Sequence, residues 1–514
     1  MARHVDKLVV LNRAALRAKY GSGGYEKVRA ALRDLSESDR ARGLSSRVLA
    51  IDDGRSMRSL GGDAVSDPGD ASAAKEAVDA AATALTPHFL VLLGAPDVIP
   101  QQRLRNPTPD DDPDVPSDLP YGCPVGPSDD PGDFVGPTRV VGRLPDQPGA
   151  TDPAYLVRLI GRARRWRSRP VAAHLPVFAV SAKVWKGSTE QSIRQLAAGS
   201  ELHLSPPSGP GWARALTRRR IHFVNCHGDE ADFRWYGDDG SIQPVAIDGT
   251  LLRGALARDM VVAGECCFGA AHYDPALSGQ PTVAATYLRE GASGVFGAST
   301  LAYGETEGTS CADLLTRFFL SAVLEGASLG RAALQARLRF VQEMGELDPY
   351  DLKTLVQFDL LGDPSVHPVK APVPVAPPAA VAGVPVEGVT PEVAVAASPP
   401  RVAARRLALE ALGGALGRTV LRTLPVGRRA ARSVARLADD VGFAPPEAPA
   451  GAAPAPRPVV RRYDLRPPSA AAEPVAARVR YTVVAARPTE QRRTAVVVRE
   501  EAGRPPTYRT LHSR

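Results

Sequence analysis

Two short apolar runs constrain this chain more than anything else in it. Ile-His-Phe-Val-Asn-Cys-His-Gly occupies 221–228, and Met-Val-Val-Ala-Gly-Glu-Cys-Cys-Phe-Gly occupies 260–269. Each ends in a reactive residue followed by glycine. Read as strands of two successive βα units, they lie parallel and adjacent. Functional groups of such sheets collect outside the carboxyl ends of the strands. His227 and the Cys266/Cys267 pair are therefore expected at contact distance, an imidazole beside a thiol at one sheet edge.

The first 369 residues repeat that logic. Strands are expected at 6–12, 47–52, 89–93, 177–180 and 294–298, and helices at 24–36, 71–85, 154–168, 190–198, 281–290, 311–325 and 328–344. Strands alternating with helices imply an α/β fold with a mostly parallel sheet. A helical crossover is expected at 251–258. Segment 104–137, rich in Asp, Pro and Gly, reads as a long surface loop.

Composition changes after 369. Of 63 Lys and Arg and 56 Asp and Glu in all, residues 370–514 hold 23 and 11, a net of +12. The first 369 residues are left with 40 against 45, a net of −5. The high pI of about 9.2 thus belongs to the tail and is no sign that the globular part binds nucleic acid. Residues 370–400 are Pro, Ala and Val, which read as a linker. Residues 401–440 read as a basic amphipathic helical segment, 444–457 return to Pro and Ala, and two alternating runs within 478–500 form a candidate hairpin. Four parts result: 1–150, 151–369, the linker 370–400 and a basic, largely disordered region 401–514.

The five cysteines are an odd number and do not suggest a disulfide framework. The N-terminus lacks an apolar stretch long enough for a signal peptide, and no run approaches the ~18 apolar residues of a membrane span. The expected setting is cytoplasmic.

A cysteine becomes a strong nucleophile when its thiolate is stabilised, and a neighbouring histidine does that and then protonates a departing amine. Gly228 lets its N–H approach a substrate carbonyl unhindered. With the N–H of the nucleophile it forms an oxyanion hole, worth about 3 kcal/mol per donor. Zinc is a poor fit for Cys226, His227, Cys266, Cys267 and His272, because adjacent Cys-Cys and Cys-His pairs lack zinc-site spacing.

These residues resemble the gingipain family, within the caspase-like clan of cysteine peptidases. The resemblance extends through Leu90-Val-Leu-Leu-Gly-Ala-Pro-Asp-Val-Ile-Pro100, Ser117-Asp-Leu-Pro-Tyr121, Val140-Val-Gly-Arg-Leu-Pro145, His227-Gly-Asp-Glu230 with Trp235 nearby, and Leu361-Gly-Asp-Pro-Ser365. It implies a three-layer α/β/α fold in which a non-catalytic caspase-like subdomain, 1–150, packs on a catalytic one, 151–369. It implies cysteine-type endopeptidase activity through a Cys-His dyad and a thioester, on a protein or peptide substrate. The gingipain spacing Cys-x-x-Gly selects Cys266, and the caspase spacing Cys-x-Gly selects Cys267; the other landmarks favour Cys266. Asp229 and Glu230 are nearest to the histidine, and neither can be assigned as a third member. The specificity pocket is expected along 297–305, with Ser299, Thr300, Tyr303 and Glu305 as candidates and Glu305 or Asp232 as sources of an acidic charge. No cofactor is expected beyond calcium, which secreted members of the family bind; the Asp-rich stretches 110–114 and 129–133 read more simply as solvated loops.

Two further expectations concern partners. The tail is exposed and Arg-rich, so it is itself a candidate substrate. The rival to an enzyme is a catalytically silent scaffold of the same fold that uses its basic tail for interactions.

Overall fold

The computed structural model describes residues 5–370, 420–424, 459–466, 479–486, 493–501, 504 and 506–514. The chain opens with β1 (Lys7–Leu11), β2 (Ser46–Ala50) and β3 (Phe89–Leu93), with the helices Arg13–Ala41 and Ala71–Leu85 between them. A hairpin of β4 (Gln102–Arg105) and β5 (Asp114–Ser117) precedes β6 (Val140–Leu144). Next come β7 (Phe178–Ala182), β8 (Leu202–Ser205) and β9 (Ile221–Asn225), then the short strands β10 (His227–Gly228), β11 (Arg234–Tyr236) and β12 (Val245–Asp248). They are followed by β13 (Met260–Gly264), β14 (Ala292–Ala298), β15 (Tyr303–Gly304) and β16 (Phe358–Gly362). The tail contributes β17 (Val420–Leu424), β18 (Val459–Arg466), β19 (Val479–Ala486), β20 (Thr494–Glu501) and β21 (Thr507–Ser513).

Ten strands form one sheet in the order β2-β1-β3-β6-β16-β14-β13-β9-β7-β8. Every pairing in it is parallel except β14 with β16. The sheet is thus two parallel sets joined back to back, and the join is the closing strand β16. The fold is α/β with a large, mostly parallel sheet, consistent with the caspase-like layering expected. Buried apolar residues gather in two large clusters, which take opposite faces of the sheet at β9 and β13. Strand side chains alternate between faces. Val262 and Val224 thus go to one cluster, and Val261, Ala263 and Phe223 to the other.

The sequence landmarks meet at the join. Arg143, with no exposed surface, binds the Asp118 carboxylate through Nε and Nη2 at 2.7 and 2.5 Å and the carbonyls of Gly94 and Ile99 through Nη1 at 2.8 Å. Asp359 of β16 accepts the Asp118 amide at 3.0 Å and the Gln101 side chain at 2.6 Å. Lys7, fully buried, is held by Asp363 at 2.6 Å and Asp39 at 2.7 Å. Removing one partner of such a pair leaves a buried charge uncompensated, at about 3–5 kcal/mol.

Several expectations need correction. Residues 251–258 form turns, not a crossover helix, and Gly254 sits there at φ 67°. Segment 104–137 is not a surface loop: Val115, Leu119, Tyr121 and Phe134 are core residues, and β4 and β5 pair within it. Asp110 and Asp112 are not solvated, since both are buried around the Lys353 ammonium. The expected hairpin near 478–500 is present as β19 paired with β20. The tail, expected to be largely disordered, forms a six-stranded antiparallel sheet with β15 where it is described, in the order β15-β21-β20-β19-β18-β17. Tyr463, Tyr481, Val483, Val497 and Leu511 bury one of its faces against the core that contains Tyr350. The linker 371–400 and most of the expected amphipathic helix lie outside the described residues; the part of that helix that is described, Val420–Leu424, is strand.

Candidate active site

Strands β9 and β13 place the reactive residues. They pair in parallel with Val261 beside Ile221 and Gly264 beside Val224, each pair 40 apart in sequence. Glu265 continues the ladder, its amide donating to the Val224 carbonyl at 2.8 Å. The same register carried forward sets Cys266 level with Cys226 and Cys267 level with His227. Alternation then decides which thiol faces which way. Cys266 falls with Cys226, Trp235 and Tyr287 in one core cluster, its Sγ 3.9 Å from the Val224 carbonyl. Cys267 belongs to the opposite face and lines the cleft that His227 and Gly228 also line. Beyond Cys267 the chain turns sharply, with Phe268 at φ 54°, a left-handed conformation that costs a non-glycine residue about 1–3 kcal/mol. The Phe268 amide donates to the Thr300 carbonyl at 2.9 Å and ties the turn to the neighbouring segment.

His227 sits in β10, which pairs antiparallel with β11. That fold-back returns the chain to the histidine, and its Nε2 lies 3.0 Å from Asp238 Oδ2. The carboxylate only accepts, so Nε2 carries the proton and Nδ1 is left as the basic nitrogen. Asp238 is almost fully buried. Burial alone would raise its carboxyl, but hydrogen bonds from His227, Gln243 and the Gly240 amide hold it well below the usual carboxylate range. The Trp185 ring packs edge-on to His227, with centroids 4.4 Å apart.

Ser513 of β21 and Arg514, the residue after it, are among the residues that line the cleft, whose open volume is about 1050 Å³. Ser513 pairs with Tyr303 and His512 with Gly304. The Arg514 amide donates to the Ala302 carbonyl at 2.9 Å. Its own carbonyl oxygen accepts from the Cys267 amide at 3.2 Å and the Gly228 amide at 3.5 Å. The Arg514 side chain is buried: Nη2 meets Asp313 Oδ1 at 2.9 Å and the Glu305 carbonyl at 2.7 Å, and the guanidinium lies 4.3 Å over the Trp185 ring. Gly304 makes room, since a Cβ there would overlap the guanidinium and come within 2.6 Å of the Asp313 carboxylate. Behind Asp313 lies Glu265, fully buried and hydrogen-bonded by the Thr316 hydroxyl at 2.8 Å. Burial first, and then the Asp313 charge, push its carboxyl well above the usual range. With Glu265 protonated, the acid pair presents one negative charge to one guanidinium.

The expected residues are thus divided. His227, Gly228 and Cys267 share the cleft, and Cys266 does not reach it. Burial, opposed by the Ala302 amide, pushes the Cys267 thiol up to about 12. Ser299 and Thr300 line the cleft, but their hydroxyls are bound to the Pro116 carbonyl at 2.6 Å and the Gln357 side chain at 2.7 Å. Tyr303 acts through its backbone, with its hydroxyl on Asp110. Glu305 offers its carbonyl to Arg514, and Asp232 is engaged by Arg234 and Tyr236. The carboxylate that meets the Arg514 guanidinium is that of Asp313. It is hidden in the sequence because Ser310-Cys-Ala-Asp313 also fits a helix start, and Asp313 does serve there, accepting the Ser310 amide at 3.4 Å. Asp238 and Trp185 carried no motif.

Calcium does not fit the Asp-rich stretches. The carboxylates of Asp110 and Asp112 are held by Lys353, Asp111 by Arg493, Asp114 by Arg103 and Asp130 by Arg105. Among the described residues no three His, Cys, Asp or Glu side chains converge as a metal site. No helix among them is long and apolar enough to cross a membrane.

No curated protein matches the chain. A solved structure described as "Structure of Protease" aligns over 99% of this chain and 97% of its own, at 14% identity and a TM-score of 0.45. Residues 252–369 match peptidase family C25. That segment contains both Cys266 and Cys267, β15 and Asp313; the match supports a peptidase, and the family that the chain resembles, as its sequence motifs implied, is the gingipain family, C25.

Proposed function

We propose that the protein is a cysteine endopeptidase that cleaves after arginine, with Cys267 rather than Cys266 as its nucleophile. The observation that carries this reading is the seat of Arg514: a carbonyl oxygen between two backbone amides, with its guanidinium on Asp313. An attacked carbonyl needs such donors as its oxygen gains charge. In the proposed reaction His227 Nδ1 takes the Cys267 proton while the sulfur attacks, and the amides of Gly228 and Cys267 stabilise the oxyanion. The imidazolium, held through Nε2–H by Asp238, gives the proton to the leaving amine. A thioester remains, and water hydrolyses it by the same route in reverse.

The test is hydrolysis of a peptidyl-arginine amide carrying a fluorogenic leaving group. The assay uses an Arg514→Ala background, in which nothing of the chain's own fills the arginine pocket. Cys267→Ala and His227→Ala should each lower kcat by about 10⁴ or more. Cys266→Ala should keep kcat within about threefold and show only the small stability cost of a buried cavity, about 1 kcal/mol. Asp313→Asn should lower kcat/KM for arginine by about 30-fold or more, in line with the 2–5 kcal/mol of a buried charge pair, and narrow the preference over neutral residues. Full activity in Cys267→Ala would end this assignment.

A further inference from the structure

The occupant of the cleft is itself a built part of the molecule. We infer that residues 507–514 are a resident, substrate-like inhibitor, presented to the cleft by the tail's own antiparallel sheet. The inference concerns regulation of the site and rests on the proposed chemistry only for the identity of what is blocked.

Three features separate this arrangement from a loose tail that happens to touch a groove. First, the contact follows the way a sheet edge takes up a peptide strand: main-chain pairing gives affinity and a side-chain pocket gives specificity. β21 supplies the pairing to Tyr303 and Gly304, and Arg514 fills the pocket. Second, the strand is not carried by the cleft alone. β21 pairs with β20 over the six residues from Thr507 to His512, and β20 continues into β19. Third, the carrier sheet is also fastened to the body by ion pairs, those of Arg499 and Arg509 among residues that do not line the cleft. Arg509 reaches Asp348 at 3.0 Å and Asp351 at 2.7 Å, Arg499 reaches Glu346 at 2.7 Å, and Arg493 reaches Asp111 at 3.1 Å. Arg514 is thus tethered at high effective concentration to a pocket that reads its side chain. A substrate from solution must displace the strand, the guanidinium and the carbonyl together.

Iodoacetamide alkylation of Cys267, followed by peptide mass spectrometry on the full chain, tests this without requiring turnover. The other four cysteines, all buried, serve as internal references. Cys267 in the wild type should react slowly. In Arg514→Ala it should react at least tenfold faster while the four references stay slow. A synthetic peptide, Thr-Tyr-Arg-Thr-Leu-His-Ser-Arg, added to that variant should slow it again. Equal Cys267 rates in wild type and variant would overturn the inference. If all five cysteines of Arg514→Ala react, the fold has loosened, and Arg514→Lys decides instead: selective acceleration at Cys267 supports the inference and an unchanged rate overturns it. Hydrolysis of the peptidyl-arginine amide is read in parallel. Faster alkylation without hydrolysis keeps the inhibitor and removes the peptidase. Hydrolysis that is equal in wild type and variant does the reverse.

Discussion

The two parallel sets of the central sheet obey the same topology rule and treat their carboxyl ends in opposite ways. At the ends of β1, β3 and β6 the polar groups are spent on the fold. Asp146 accepts the Ala95 amide and the Tyr20 hydroxyl and pairs with Lys19 at 2.8 Å, and Asp52 takes the amides of Arg13 and Ala14. The cleft is lined from both sets, by Pro96 and Pro148 past β3 and β6 as well, but it is the ends of β9, β13 and β14 that bring His227, Cys267 and Ser299 to it. A strand's carboxyl end therefore permits a site without making one. What distinguishes the second set is that its polar side chains are positioned by the fold but still border open volume.

The sharpest way to break that comparison is to disturb positioning without touching the reacting atoms. Asp238→Asn keeps the shape and removes the charge that fixes the Nε2–H form of His227. In the Arg514→Ala background, kcat should fall on the order of 10³-fold or more, with KM changed far less. A purely structural aspartate would instead lower the melting temperature and leave kcat alone, so both should be measured.

The mirror experiment is in the first set. Asp146→Ala strips three partners at once: it takes this acceptor from the Tyr20 hydroxyl and the Ala95 amide and leaves Lys19 with Asp97 alone. Urea unfolding should show a loss of about 3 kcal/mol, and kcat of the folded fraction should change less than threefold. An equal loss of kcat would mean that the two strand-end clusters are one machine, against the contrast drawn above.

The same contrast explains what could be read from the chain itself. Strand ends at His227 and near Cys266 were legible because apolar runs closed by glycine announce them. The choice between the cysteines was open to motif spacing, since Cys-Cys-Phe-Gly satisfies both patterns. Period-two alternation puts Val261, Ala263 and Cys267 on one face, the basis of the Cys267 proposal, but it needs the register with β9 to become an argument. Asp313 was concealed by a second local role at a helix start. Asp238 reaches His227 only through the fold-back of β11, which no local pattern signals. The docking of β21 was the least legible feature: 507–514 carries no motif, and its meaning comes from a pocket formed some two hundred residues earlier.

The smallest effect tests the charge count in that pocket. Glu265 and Asp313 are two carboxyls facing one guanidinium, and the site balances if Glu265 keeps its proton. Its carboxyl is raised above the unfolded value, so between those two values the folded protein binds more protons than the unfolded chain. Stability contributed by the protonated form is present at low pH and declines as pH rises through that window. Glu265→Gln holds the neutral form at every pH and keeps an acceptor for the Thr316 hydroxyl. Its melting temperature relative to wild type should therefore rise as pH climbs above the ordinary carboxyl range, and level off only once wild-type Glu265 ionises in the fold. In the Arg514→Ala background the guanidinium that favours Glu265 ionisation is gone, and the difference should grow. Parallel pH curves for the two proteins would mean that Glu265 does not hold its proton preferentially in the fold, and that the pocket does not present a single charge.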